Sequence, residues 1–553
     1  MPQHAIILFV MVPMAAGVLA LAVHRNKPAA RTVGVLALLL NVVVALWAAA
    51  TVFATDASGA GQILVSQMGN WPAPFGITIV VDALSALMLT VSSMVCLAVF
   101  IFCIGQLPPR FEGGFFHATF LFLVMGVQWS FITGDLFNLF VAFEIMLMAS
   151  YAMFVVGTTR EQMRHAYKYV LLNLLGSTMF VTCAGLIYGQ TGTLNMADLA
   201  RIALAGELPS TAVPVVALLL FVFGGKAAIF PLWYWLPETY PTLPAPIGGL
   251  FAGLLTKVGA YVLIRVFVMI FGPESGAATG TAVTISALLL PVVLISAGVT
   301  MFLGVLGAVS MHTVRSILAI HIISQVGYMV LAVGLAMAPL SSVDSAEAWA
   351  LTRELAVAGG VFFIIHNMVV KCALFLCGGL MQAHAGSDDL DRIGGLLRRD
   401  PWLAVLFMIA ALSLAGLPPL SGFFGKFVLI REGWVQGRYV VTGFAIATSL
   451  LTLLSMLKIW SYGFWSPARG RHVEQPPVVP HTGPGKFAVF MLVVVALSMG
   501  LGAQKWFDLC RVAARGVANP RPYVAAVLGE SRVPRGDAEA AGHAVVLGGE
   551  VSR

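Results

Sequence analysis

Apolar residues run along this chain in blocks of about twenty, separated by short polar stretches. The blocks fall near 5–23, 33–54, 78–104, 115–133, 136–157, 167–189, 213–235, 247–271, 281–310, 316–338, 355–381, 402–430, 440–465 and 487–506. A helix needs about 20 apolar residues to cross the hydrocarbon core of a bilayer, so the pattern predicts an all-α polytopic membrane protein of about 14 transmembrane helices. The first block has no basic segment before it. Arg25, Lys27 and Arg31 follow it instead, which is the order of a first transmembrane helix with its N-terminus outside, not of a signal peptide.

Alternating the loops from that start tests the topology. The loops assigned to the cytoplasm carry Arg25, Lys27, Arg31, Arg110, Arg160, Arg164, Lys168, Arg315, Arg392, Arg398, Arg399, Arg469, Arg471 and Lys486. The opposite loops carry only Arg201, Arg353, Arg431 and Arg438. This bias is the positive-inside rule. The C-terminal segment breaks it, since Lys505, Arg511, Arg515, Arg521, Arg532, Arg535 and Arg553 would lie outside. From about Asn519 that segment is rich in Ala, Gly and Arg, and the sequence predicts a polar, disordered tail over 511–553. The longest loops, 55–77, 190–212, 339–354, 382–401 and 466–486, are too short for a catalytic domain. No GxGxxG follows a strand and no GxxxxGK[ST] occurs, so nucleotide chemistry is excluded.

Composition agrees. Only 10% of the 553 residues are charged, against about a quarter in soluble globular domains, which excludes a water-soluble enzyme. The net charge of +7 is accounted for by cytoplasmic loops, and no basic patch interleaved with aromatics points to nucleic acid. The six cysteines, Cys372 and Cys377 included, form no CxxC or Cys/His metal spacing. They read as packing residues; no metal site and no cofactor is expected.

Six cations remain inside the apolar blocks: Lys226, Lys257, Arg265, Lys371, Lys426 and Lys458. Arg265 and Lys458 lie near enough to helix ends to snorkel. The other four lie deeper, where a charge costs roughly 2.5–3.5 kcal/mol on insertion scales and normally faces a polar interior. Glu144 is the one carboxylate expected well inside a helix, since Asp82 and Asp135 stand at helix starts. His321 and His366 add two groups that titrate near neutrality. Glu144 can alternatively be a static partner of Lys226, and either histidine a hydrogen-bonded core residue. The deep lysines taken together favour a relay.

Two lysines adjoin backbone breakers. Lys226 follows Gly224 and Gly225 and precedes Pro231, which cannot donate to the carbonyl of Ala227. Pro418 and Pro419 precede Lys426. Broken backbone at membrane depth marks ion paths in transporters; the alternative is proline kinks that only shape packing. Lys226–Lys257 and Lys426–Lys458 are similarly spaced, a faint internal repeat that the prolines do not obey.

Several segments resemble the antiporter-like subunit family shared by respiratory complex I and the Mrp-type multisubunit cation/proton antiporters. These are Phe140–Tyr151, Gly157–Arg164, Lys226–Pro237, Leu254–Tyr261 and Leu417–Lys426, and within the family they are most similar to the D-type subunit of Mrp (also Mnh or Pha) antiporters. The resemblance implies two inverted five-helix repeats, helices 4–8 and 9–13, with helices 7 and 12 broken. The chain then divides into 1–110, 111–275, 276–466, 467–510 (loop and helix 14) and the tail 511–553.

The resemblance also implies a mid-membrane proton relay through Glu144, Lys226, Lys257, His321, His366, Lys371 and Lys426. The complex I subunit of M type has glutamate where this chain has Lys426. Many relatives carry two adjacent histidines where it has His366-Asn367. Implied partners are other subunits of a hetero-oligomeric antiporter in a bacterial inner membrane, protons, Na+ or K+, and membrane lipid. The alternatives are a proton-pumping subunit of NADH–quinone oxidoreductase or a related membrane hydrogenase, a self-sufficient solute carrier, and a structural scaffold.

Overall fold

The computed structural model describes residues 3–54, 61–107, 111–112, 115–155, 159–273, 280–339, 345–467 and 482–534. Helix α1 (Leu8–Ala22) leads to α2 (Lys27–Val52), which Asn26 caps through Ala29 N at 3.2 Å. A hairpin of β1 (Leu64–Gln67) and β2 (Thr78–Val81) follows, antiparallel with Leu64 opposite Val81. The apolar block from 78 thus opens as a strand, because Thr-Ile-Val-Val is β-branched throughout and Asp82 then caps the helix.

Next come α3 (Ala83–Gln106), α4 (Phe116–Ile132), α5 (Leu136–Val155), α6 (Arg160–Thr191) and the short α7 (Met196–Leu204). Helix α8 (Ala212–Ala227) stops before Pro231, and after α9 (Leu236–Thr239) the chain runs through α10 (Ala245–Ile264), α11 (Thr281–Ser310), α12 (Val314–Ala336) and the 40-residue α13 (Ala346–Ala385). The remainder is α14 (Leu396–Arg399), α15 (Pro401–Ala415), α16 (Ser421–Val435), α17 (Tyr439–Trp460), α18 (Thr482–Leu501), α19 (Ala503–Ala518) and α20 (Arg521–Leu528).

Among the described residues, 12 helical segments are long and apolar enough to cross a membrane, and α4 and α15 are shorter apolar helices of 17 and 15 residues. The chain is a multi-pass membrane protein. Helices α10, α12 and α13 are buried all round, whereas α1, α2, α6 and α17 turn an apolar face outward. A helix apolar on every side belongs at the centre of a bundle, and the buried charges sit on and around these central helices.

Two expectations need correction. The segment expected as a disordered tail is helical through Leu528. Helix α19 buries Cys510, Ala513, Ala514 and Val517 along one face, and Arg511 and Arg515 bind Glu354 of α13 at 2.8 and 3.2 Å. An amphipathic stripe at helical spacing, diluted in a Gly- and Arg-rich composition, is enough to hold it. Residues 535–553, like Arg110, Arg469 and Arg471 of the charge bias, lie outside the described residues.

Arg265 does not snorkel. It is buried and grips Asp82 with both guanidinium ends, donates from Nε to the Tyr261 hydroxyl at 3.0 Å, and reaches Ser85 Oγ at 2.9 Å. Lys458, in the last turn of α17, is half-buried. Its Nζ donates to the carbonyls of Val309 and Met311, at 3.0 and 2.8 Å, at the C-terminal end of α11.

Candidate functional site: the buried lysines and histidines

The break after α8 follows from the sequence around it. Pro231 offers no N–H to continue the helix, and Ala228 takes a left-handed conformation (φ 65°). The freed carbonyls of Gly224 and Gly225 accept Ile229 N at 3.0 Å and Trp235 Nε1 at 3.0 Å. Gly224 and Gly225 are therefore the last turn of the helix, not the break itself. At the second break, Gly416 (φ 90°) closes α15 with its N–H on the Leu412 carbonyl at 3.0 Å, and Pro418 and Pro419 lie in the gap before Ser421 restarts the chain as α16. Gly416 must be glycine, since a side chain there would strain the backbone and meet Lys426.

Lys226 is buried in the last turn of α8. Its Nζ donates to the Asn173 carbonyl at 3.2 Å and to Ser177 Oγ at 3.1 Å, both on α6. Glu144 of α5 makes no ion pair with it within 4.0 Å among the described residues, and Glu144 Oε1 is buried with no hydrogen bond. The carboxylate still acts on the ammonium through space. A static, bonded Glu144–Lys226 pair is thereby ruled out in this conformation.

Lys257 of α10 turns back on its own helix, donating to the Ala252 carbonyl at 2.5 Å and Thr256 Oγ1 at 3.2 Å. Two residues on, Gly259 lets α10 approach the α8 backbone so closely that a β-carbon there would stand 2.7 Å from Ala227 N. The lysines of these two helices therefore flank one crossing. On the other side, Lys371 of α13 lies within electrostatic reach of both Lys257 and Lys426. It is fully buried, with one long hydrogen bond to the Leu318 carbonyl at 3.5 Å.

Lys426 donates to the carbonyls of Leu414 and Ala415, at 2.9 and 3.0 Å, and sits 5.2 Å from the Tyr328 ring centroid. Those two carbonyls end α15, where the helix dipole is negative; a broken helix supplies the compensation that no carboxylate provides. His366 bonds Ser421 Oγ at 2.8 Å through Nδ1, Ser421 meets Ser413 Oγ at 2.9 Å, and His366 Nε2 is buried without a partner. His321 bonds Ser324 Oγ at 3.3 Å and Ser455 Oγ, and both histidines lie within electrostatic reach of Lys371 and Lys426.

The seven sequence-derived residues thus fall into a pair, Glu144 and Lys226, and a cluster, Lys257, His321, His366, Lys371 and Lys426. Sequence reasoning missed the hydroxyls between them (Ser413, Ser421, Ser455), the buried Gln325 and one further acid. Glu432 of α16 is 1% exposed, and its Oε1 makes no hydrogen bond although Arg431 Nη1 lies 3.4 Å away. Its neighbour Arg431 is a helix residue too, not the loop residue that the charge count makes it. The apolar Trp434-Val435 that follows is the available sign that the helix continues. Glu144 is accordingly not the only carboxylate inside a helix. Among the described residues no group of three or more His, Cys, Asp and Glu is arranged to hold a metal.

A family model described as NADH:quinone oxidoreductase/Mrp antiporter, transmembrane, matches residues 133–452. Over 530 residues, 96% of this chain and 100% of the relative, the sequence is 39% identical to the D-type subunit of the Na+/H+ antiporter of Alkalihalophilus pseudofirmus. Among solved structures, a chain of the Mrp complex from a Dietzia species superposes with a TM-score of 0.82 at 31% identity, covering 95% of this chain and 99% of that one. A chain of the membrane-bound sulfane sulfur reductase, an archaeal respiratory membrane complex, superposes with a TM-score of 0.82 at 25% identity, covering 95% of this chain and 100% of that one.

Proposed function

The chain belongs to the NADH:quinone oxidoreductase/Mrp antiporter family, and on that footing we propose that it is the proton-translocating subunit of a multisubunit monovalent cation/proton antiporter. It is a transporter subunit, not an enzyme. It works with other subunits in a bacterial inner membrane, its N-terminus outside, exchanging Na+ or K+ for protons. Helices α4–α10 and α11–α17 form its two inverted repeats, each containing one of the two helix breaks.

The observation that carries this reading is the buried row of Lys257, Lys371 and Lys426 with His321 and His366, which holds several ionisable groups and no bonded carboxylate. A free lysine holds its proton at neutral pH, burial favours the neutral amine, and a nearby carboxylate favours the ammonium. Motion of Glu144 toward Lys226 therefore loads that lysine and motion away unloads it. The released proton passes by way of Lys257 and His321 to Lys371 and Lys426, with Ser421, Ser413 and the free Nε2 of His366 as hydrogen-bonding steps. One charge falling through 100 mV yields about 2.3 kcal/mol, which changes a lysine's protonation equilibrium by about fiftyfold.

The test uses the assembled complex in sealed membrane vesicles, reading cation-driven proton movement with a pH-sensitive dye. Lys226→Ala should abolish it while the complex still assembles; an assembled variant that transports normally sinks the relay. The respiratory reading has its own support in the equal superposition on the sulfane sulfur reductase chain. Co-purification of the intact complex separates the two: small antiporter subunits favour the first, iron–sulfur subunits the second.

A further inference from the structure

Lys226 is not sealed. A cavity of about 400 Å³ lies between α6 and the chain that returns from the α8 break; most of its wall is apolar (Leu172, Leu175 and Phe221 among them), and Asn173, Lys226 and Tyr234 form its polar side. The break puts it there. Pro231 turns the chain out of α8, and the Trp235 indole is tied to the Gly225 carbonyl at 3.0 Å, so the segment 232–239 folds back against α6.

At the rim of this cavity a cluster of titratable groups has gathered that the relay does not use. Lys168 Nζ lies 2.5 Å from Glu238 Oε2 and 3.5 Å from the Tyr234 hydroxyl, and His165 Nδ1 lies 3.5 Å from the same Glu238 oxygen. Glu238 is 40% exposed, and His165 and Lys168 are partly exposed. Tyr234 belongs both to this cluster and to the cavity wall. His165 and Ser177 are about 18 Å apart along α6, and at the inner end of that stretch the Asn173 carbonyl and Ser177 Oγ hold the Lys226 ammonium.

We propose that Glu238, His165, Lys168 and Tyr234 form a proton-intake port that delivers protons through this cavity to Lys226, on the face to which the Lys/Arg bias assigns the cytoplasm. The port rests on Lys226 being a relay group. A proton from bulk water binds Glu238 or His165, which share an oxygen–nitrogen contact, and crosses along the polar side of the cavity from Tyr234 to Lys226, where the volume has room for several waters at ~30 Å³ each. It then protonates the neutral amine of Lys226, and the port group returns to its starting form. No other reactant is consumed.

Access and transport give independent tests, both in the complete complex. Gly176 faces the cavity, and a β-carbon there would meet only Lys226 Cε, at 3.8 Å, so Gly176→Cys places a thiol in the cavity without a clash. The six native cysteines are all buried. A permanently charged, membrane-impermeant methanethiosulfonate should react with this thiol only from the face bearing Glu238. Reaction from the opposite face, or only with a lipophilic maleimide, identifies a lipid-filled groove and overturns the port.

Glu238→Gln should slow cation-driven proton movement by about a hundredfold, the low side of what a positioned acid–base group contributes, and Glu238→Asp should restore most of it. An assembled Glu238→Gln complex at the unaltered rate overturns the port while leaving Lys226 untouched. Transport that survives Lys226→Ala defeats the relay instead, and the labelling still reports access.

Discussion

Arg265 and Lys371 are both buried cations in one helix bundle, yet their surroundings are opposite. Arg265 has a carboxylate held in a two-ended grip, a tyrosine hydroxyl and a serine hydroxyl, and the Tyr523 ring of α20 lies 5.7 Å from its guanidinium. Every donor that faces inward is used. Lys371 has one carbonyl at 3.5 Å and two other lysines for neighbours. A buried charge with a complete set of partners is a joint, here fastening α3, α10 and the C-terminal helices. One without such a set costs the fold free energy and marks a candidate functional group. The first kind stabilises a fixed geometry; the second burdens the fold.

The sharpest way to break that contrast is Arg265→Met, which strands the Asp82 carboxylate. It should destabilise the protein by about 3–5 kcal/mol, seen as a lower melting temperature of the detergent-solubilised complex; an unchanged melt would mean the pair holds nothing. Lys371→Met is the mirror experiment. It should raise stability by about 1–3 kcal/mol, because it removes a poorly compensated buried polar group, while cation-driven proton movement stops. A melt that falls as steeply as for Arg265→Met would put Lys371 among the joints.

Glu144→Gln keeps shape and removes charge. The expected result is a drop of about tenfold in transport rate, the equivalent of about 1.4 kcal/mol in the barrier, with the melt unmoved. The smallest effect tests a third kind of site, outside the spans. Asp400 is buried, which raises its carboxyl pKa, but the bond to Lys486 at 2.7 Å, the Leu403 N–H at 3.1 Å and nearby His384 outweigh this and hold it below its ordinary 3.8. A depressed folded pKa gives stability that is complete above the unfolded value and fades as pH falls through the folded one. Asp400→Asn should therefore cost about 1 kcal/mol at pH 7 and progressively less as the pH is lowered below 3.8, as thermal melts across that range will show.

The spans were legible because each helix carries its own requirement: about 20 apolar residues in a row leave one way to satisfy the backbone in lipid. The α8 and α15 ends were legible too, since proline acts within its own turn. The deep lysines stood out by cost alone. What could not be read was partnership. Nothing near Arg265 announces Asp82, which lies 183 residues earlier, and so Arg265 looked like a snorkelling residue. Glu432 looked like loop, and the α19 stripe was lost in its composition.

The same division separates what sequence and tertiary structure each determined. The sequence by itself set the helices, their interruptions and the presence of protonatable groups at membrane depth, all properties of local hydrophobicity and backbone geometry. Only the packing of distant helices decided which of those groups became satisfied joints, which were left without a full set of partners, and which one opens onto a cavity. A charge's role depends on the few ångströms around it, and those are filled by residues far away along the chain.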